Sequence, residues 1–255
     1  MIKVLSIAGS DPSSGAGIQA DLKTFQALHV FGMALPAALT IQNSRGVFGV
    51  KSITPAILLK QLDALLSDIK PNAVKSGMLL TKQNVEIVAS AIKKFSIKGF
   101  VVDPVLKSSS GRPLLQPAAI KSLIVKLLPL AMIVTPNIPE AEVLAGMSIV
   151  TEGDMDYAAG RILGRGPSYV LIKGGHRAGP AVDTLYGGKS VLSFSTPRKR
   201  SEFHGTGCVL SSAIAVFIAR GLPVEKAVEK AKQFVDKMLK TAEPAGRGNV
   251  KYFQF

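Results

Sequence analysis

His204-Gly205-Thr206-Gly207-Cys208 runs directly into the apolar stretch Val209 to Ala219, so a glycine-rich turn opens a helix and carries the chain's one cysteine. The first turn of a helix leaves backbone N–H groups without intrahelical acceptors and carries partial positive charge. With no bulky side chain there, such a turn is suited to holding an anion, above all a phosphate. The same field favours thiolate over thiol, so the expectation for Cys208 is a lowered pKa and a readiness to take a proton or attack an electrophile. A reacting hydroxyl and a transferring phosphoryl group would then meet at one point. Alone, a G-x-G before a helix is more often an ordinary helix start, and its weight comes from what the rest of the chain supplies.

Polar residues recur where apolar runs end. The first run leads into Gly9-Ser10-Asp11-Pro12-Ser13-Ser14-Gly15-Ala16-Gly17 and a helix carrying Gln19 and Asp21. Later runs end at Gln42-Asn43, Ser76-Gly77-Met78, Asp103-Pro104-Val105, Thr135-Pro136-Asn137 with Glu140 beyond, and Lys173-Gly174-Gly175-His176. Asp103 and Glu140 are hard oxygen donors of the kind that hold magnesium and its waters. Lys173 reads as a counter-charge to a nucleotide phosphate, and Asn137 as a ligand of the phosphates or of a metal-bound water. Gln42 carries both an amide donor pair and a carbonyl acceptor, and reads on its own as a turn-stabilising amide. Met78 and Val105 read on their own as core. Asp21 fits either phosphate or magnesium handling or the positive end of its helix. His176 and His204 accompany glycine turns and read as structural, and His29 as the surface end of a helix.

The elements that must position these residues alternate. Strands are expected at Lys3 to Ala8, Met33 to Thr40, Ala73 to Lys75, Phe100 to Val102, Met132 to Val134 and Tyr169 to Ile172. Helices are expected at Ile18 to Leu28, Pro55 to Asp68, Gln83 to Phe95, Pro117 to Leu127, Pro139 to Ala145 and Met155 to Leu163, several with proline near the first turn. Alternation of this kind implies parallel strands, right-handed crossovers and helices on both faces of a sheet. Thr184 to Phe194 breaks the rhythm and reads as a hairpin turning at Gly187-Gly188-Lys189. Two helices follow, Thr206 to Arg220 and Val224 to Lys240, and the tail from Pro244 to Phe255 reads as irregular. In such sheets ligands gather beyond the carboxyl ends of the strands, where the polar residues fall.

Composition bounds the alternatives. At 255 residues, 47% hydrophobic and 19% charged, the chain fits one α/β domain spanning 1–255. It has no apolar run long enough to span a bilayer and no signal peptide, which points to a cytoplasmic protein. One cysteine and three scattered histidines give no disulfide and no structural metal cage. The net charge of +14 invites a nucleic-acid reading, but the basic residues are dispersed, Arg198-Lys199-Arg200 is short, and there is no tryptophan. We expect no nucleic-acid or membrane partner; the charge would steer a polyanion such as ATP.

Taken together and in order, Ile7-Ala8-Gly9-Ser10-Asp11-Pro12, Gly15 to Phe25, Gln42 to Val47, Lys75-Ser76-Gly77-Met78, Asp103-Pro104-Val105, Thr135 to Ala141, Lys173 to His176 and the turn at 204–208 resemble the hydroxymethylpyrimidine/phosphomethylpyrimidine kinases, the thiamine-pathway members of the ribokinase-like superfamily. The resemblance runs from Val4 to about Lys240. It implies a ribokinase-like three-layer sandwich with a mainly parallel central sheet and a small hairpin near 182–194. It implies use of ATP and Mg2+ to phosphorylate 4-amino-5-hydroxymethyl-2-methylpyrimidine, then its monophosphate. It sets Gly205, Thr206, Gly207 and Cys208 at the transferring group, Gln42 against the pyrimidine with Met78 and Val105 as apolar walls, and Gly9 at the ring's edge. A homodimer is expected, since relatives are commonly dimers. The sugar kinases of the superfamily carry aspartate where this chain has Cys208, which points to the pyrimidine and vitamin B6 branch; pyridoxal kinase is the rival reading, and a non-catalytic binding protein a remoter one. Leu106 to Arg112 holds more serines than the short flap of the family, leaving the register of Lys107 open. A fused thiamin-phosphate synthase domain, present in some relatives, is not expected after the last helix.

Overall fold

In the computed structural model, residues 1–174, 181–188, 191–196 and 201–255 are described. Gly175, His176, Lys189, Ser190 and the triplet Arg198-Lys199-Arg200 lie outside the described residues. The chain begins with β1 (Lys3–Ser10), α1 (Gly17–Ala27), β2 (Phe31–Asn43), β3 (Gly46–Ser52) and α2 (Pro55–Asp68). It continues through β4 (Ala73–Ser76), α3 (Lys82–Lys94), β5 (Phe100–Val102), α4 (Pro117–Ser122), β6 (Ile133–Val134), α5 (Ile138–Ala145) and α6 (Glu152–Leu163). Then come β7 (Tyr169–Ile172), β8 (Ala181–Gly187), β9 (Leu192–Thr196), β10 (Glu202–Phe203), α7 (Thr206–Ala219), α8 (Val224–Met238), β11 (Glu243–Pro244) and β12 (Val250–Tyr252).

The apolar alternation of the strands sets the layers. In β1, Leu5 and Ile7 face a core shared with α2, α3, α5 and α6, while Val4 faces a second core built on α1, α7 and α8. Full burial of a leucine or phenylalanine contributes roughly 1.5–3 kcal/mol, so these two cores hold the sandwich. The strand order is β3-β2-β1-β4-β5-β6-β7-β8-β9. From β2 through β7 every neighbouring pair is parallel, and β3, β8 and β9 are antiparallel additions at the edges. The three-layer α/β expectation holds, and the hairpin of β8 and β9 pairs Asp183 with Phe194.

Helix starts follow local chemistry. Thr54 and Thr81 accept hydrogen bonds from Ile57 and Asn84, and proline takes the first position of α2. Pro117 to Leu127 does not stay α-helical: Leu123–Leu127 widens into a π turn ahead of Pro129, which interrupts the backbone ladder. Two elements differ from expectation more substantially. Gly46–Ser52 forms β3 on the far edge of β2, where its two glycines mask a strand pattern. The tail expected to be irregular supplies β11 and β12, which join β10 in a small sheet. No helix among the described residues is long and apolar enough to cross a membrane.

Candidate active site

The carboxyl ends of β1, β2, β4, β5, β6 and β7, the start of α7 and the C-terminal segment enclose one cavity of about 1040 Å³. Gly205 has φ 79°, and the carbonyl of Gly15 occupies the place where a side chain would stand, so only glycine fits. No side chain caps α7, whose first intrahelical bond runs from Val209 N–H to the Gly205 carbonyl. The backbone N–H groups of Thr206, Gly207 and Cys208 therefore stand at the cavity wall as an uncapped helix start. Asp11 pins this turn to the loop after β1. It accepts from the backbone of Ser13, Gly15 and Ala16 at 2.8 to 3.2 Å and from His204 Nε2 at 2.9 Å. Burial alone would raise the Asp11 carboxyl, but the bonds to His204 and Ser13 outweigh it and hold it below the usual range.

A charged group lies beside the turn. A Cβ at Gly207 would stand 3.2 Å from Lys173 Nζ and 3.8 Å from Asp103 Oδ2. Asp103 pairs with Lys173 at 3.2 Å and accepts from Thr135 Oγ1 and Ser211 Oγ. Burial favours a neutral Asp103, yet the ammonium groups of Lys173 and Lys75 keep it ionised and below its usual pKa. Lys173 is itself pushed up: burial opposes its charge, and Asp103 and Glu140 more than compensate. Glu140 is raised, chiefly by burial. Asn137 and Glu140 form a reciprocal cap at the start of α5, so Glu140 Oε2 accepts from Asn137 N–H at 2.9 Å.

Cys208 departs from expectation. Its thiol is pushed up to about 11: burial dominates, and Asp21 and Asp103 add to it, against Lys75 and a backbone N–H from Gly17. The helix-start field is present, but desolvation wins. Asp21 also departs from its expected place. It is fully buried, does not reach the cavity, and has both oxygens taken by Lys75, Ser6 and Ser212, so it cannot touch a substrate.

Gly9, Gln42, Met78 and Val105 line the other end. Met78 and Val105 belong to a small apolar cluster with Ala38, Leu80 and Leu114, apart from the two main cores. They pack and border the cavity at once. A Cβ on Gly9 would come within 2.8 Å of Met78 Sδ. The Gln42 amide lies 2.8 Å from His204 Nε2. Leu106 to Arg112 folds into a turn over the cavity, with Ser108 N–H donating to the Arg112 carbonyl and Lys107 at its root.

Four wall residues were missed by sequence reasoning in this role. Lys75, in a run of four buried strand residues, was legible as a buried charge that needs a partner. His204 was read as structural only, yet it borders the cavity between Asp11 and Gln42. Arg247 and Asn249 reach the cavity from the tail, and no local sequence signal marks them.

An anion-receptive helix start, a lysine and two carboxylates beyond the carboxyl edge of a parallel sheet define a phosphotransferase of the α/β class. The phosphomethylpyrimidine kinase family model matches residues 11–252. The thiamine biosynthesis bifunctional protein ThiED of Geobacter sulfurreducens is 44% identical over 248 residues, 96% of this chain, which spans about half (51%) of that protein. The hydroxymethylpyrimidine/phosphomethylpyrimidine kinase of Rhizobium meliloti is 43% identical, covering 98% of this chain and 96% of the relative. The crystal structure of the phosphomethylpyrimidine kinase of Clostridium difficile 630 superposes with a TM-score of 0.84 at 44% identity, over 94% of this chain and all of the other. Pyridoxal kinases also share the fold, with TM-scores of 0.89 to 0.90 at 34 to 36% identity. The chain belongs to the phosphomethylpyrimidine kinase family, and it is a kinase.

Proposed function

We propose that residues 1–255 act as one domain that transfers a phosphoryl group from ATP to 4-amino-5-hydroxymethyl-2-methylpyrimidine and then to its monophosphate, in thiamine diphosphate synthesis. The observation that carries this reading is the turn at 205–208, lying between an apolar wall with an amide at one end and Lys173 with Asp103 at the other. Phosphoryl transfer needs an in-line acceptor, neutralised phosphate oxygens and a destination for the acceptor proton.

The pyrimidine lies against Met78 and Val105 with its edge on Gln42, near Gly9. His204 Nε2 stands 2.9 Å from Asp11 Oδ2 and 2.8 Å from the Gln42 amide nitrogen, so the imidazole ties the amide to the loop after β1 at the pyrimidine's edge. The triphosphate lies along Asn137 and Lys173. Asp103 and Glu140 fit a magnesium ion: both are hard oxygen donors lining the cavity, and Asp103 is held ionised. Magnesium takes one or two carboxylates plus substrate phosphates and would neutralise charge on the phosphate oxygens. The N–H groups of residues 206–208 receive the transferring phosphoryl group, and Cys208 takes the hydroxyl proton in the first step. In the second step the acceptor is an already ionised phosphate, and the base is dispensable.

A homodimer is supported by Leu39 and Ile41, exposed at 46% and 68% on one face of the β2/β3 pair. We place the reaction in the cytoplasm, where ATP and a reduced thiol coexist.

The rival reading, a pyridoxal kinase, is suggested by the pyridoxal kinases that share the fold, at 34 to 36% identity against 43 to 44% for the pyrimidine kinases. The purified chain with ATP and magnesium, assayed for kcat/KM on the hydroxymethylpyrimidine and on pyridoxal, separates the two. We expect at least about 10-fold preference for the pyrimidine, because an amide left unmatched at the ring's edge penalises the wrong ring. Preference for pyridoxal would move the protein to the vitamin B6 branch.

A further inference from the structure

β4 is buried along its whole length, yet its third residue is a lysine. Ala73 lies in the core on α1 and α7, and the two-residue period of the strand puts Lys75 on that same face. Lys75 Nζ stands 2.9 Å from each oxygen of Asp21 and, among the described residues, donates to no other acceptor. Asp21 also accepts from Ser6 Oγ on β1 and from Ser212 Oγ on α7 at 2.7 Å. Ser212 is one helical turn beyond Cys208, so this cluster lies directly beneath the anion-receptive turn. Lys75 also reaches the cavity wall itself, which Asp21 does not.

Isolating an ammonium and a carboxylate from water costs several kcal/mol each, and an apolar pair would fill the same space more cheaply. A charged pair at this place therefore calls for a reason beyond packing. The charged groups facing the turn are Lys75 from β4, Asp21 from α1, Asp103 after β5, Lys173 after β7, and Asp11 and His204 in the flanking loops. Lys173 pairs with Asp103, whereas the ion-pair partner of Lys75 is Asp21.

We propose that Lys75 is a positioning residue for Cys208: held in place by Asp21, its ammonium is the fixed positive charge that stabilises the thiolate when the acceptor's proton is transferred. The proton moves from the acceptor hydroxyl to Cys208 sulfur, and Lys75 keeps all of its own. The proposal rests on Cys208 being the proton acceptor of the first step, and its primary test uses neither substrate nor ATP.

Cys208 is the only cysteine, so alkylation of the full chain by iodoacetamide reports its thiolate fraction without ambiguity. In mildly alkaline buffer, Lys75→Met is expected to slow alkylation about 10-fold, the equivalent of one pKa unit, and Asp21→Asn to speed it. Lys75→Arg is expected to restore the rate of the original chain. Ser212→Ala, which removes a hydrogen bond to Asp21 and no charge, is expected to leave the rate within about 2-fold. A structural role alone would move Lys75→Met and Asp21→Asn in the same direction, and that result overturns the proposal. If Lys75→Met fails to melt cooperatively, Asp21→Asn decides: alkylation no faster than in the original chain overturns it. Opposite shifts with no phosphorylation of any pyrimidine would uphold the electrostatic role and sink the functional reading instead.

Discussion

Cys208 joins two opposing effects in one atom. The start of α7 and Lys75 favour its thiolate, while burial and the carboxylates of Asp21 and Asp103 push the thiol up to about 11. At neutral pH the thiol is then protonated, and the thiolate fraction rises about 10-fold for each pH unit below that value. The first phosphorylation should therefore accelerate with pH across the neutral and alkaline range, and the second should not; parallel pH profiles for the two acceptors would count against Cys208 as base. Cys208→Ser should cost the first step about 100-fold or more and the second less than about 10-fold, as steady-state rates on each acceptor would show. Lys173→Met should lower kcat of both steps by about 100-fold, because it removes a preorganised charge beside the phosphoryl group. At this scale residue types were legible: Asp103, Glu140, Lys173 and Gln42 all reach the cavity. Asp21 was not, because whether a carboxylate faces a cavity or a buried lysine depends on the packing of β4 against α1.

Strand ends carry the site, and the central elements were legible because their patterns are strong. Phe100–Val102, Tyr169–Ile172 and Pro55–Asp68 have the bounds expected of them. The edges were not, since β3 and the strands of the tail are held by partners far away in sequence. β12 pairs with β10, the His204 N–H donates to the Lys251 carbonyl, and Tyr252 packs edge-on against His204 at 5.4 Å. The tail thus braces the loop that delivers Gly205. Tyr252→Ala should lower kcat more than it lowers Tm, whereas Tyr252→Phe, which loses only the bond to Ser13, should stay within about 3-fold in kcat; thermal melts and initial rates check both. The turn at 106–112 also borders the cavity. Shortening it should raise ATP hydrolysis without acceptor relative to transfer, since water then reaches the phosphoryl group.

Across the whole molecule, the two cores fix the sheet, and the sheet brings together residues as distant as Asp11 and His204. The basic charge of +14 gives ATP an attractive field, so kcat/KM for ATP should fall as salt is raised. One cavity is expected to perform two successive transfers onto one small ring. The most direct test is a time course with purified protein, ATP, magnesium and 4-amino-5-hydroxymethyl-2-methylpyrimidine, with products identified by mass. The monophosphate is expected to accumulate first and then to be converted to the diphosphate by the same protein. A reaction that stops at the monophosphate, or that leaves the pyrimidine untouched while ATP is intact, would contradict this expectation.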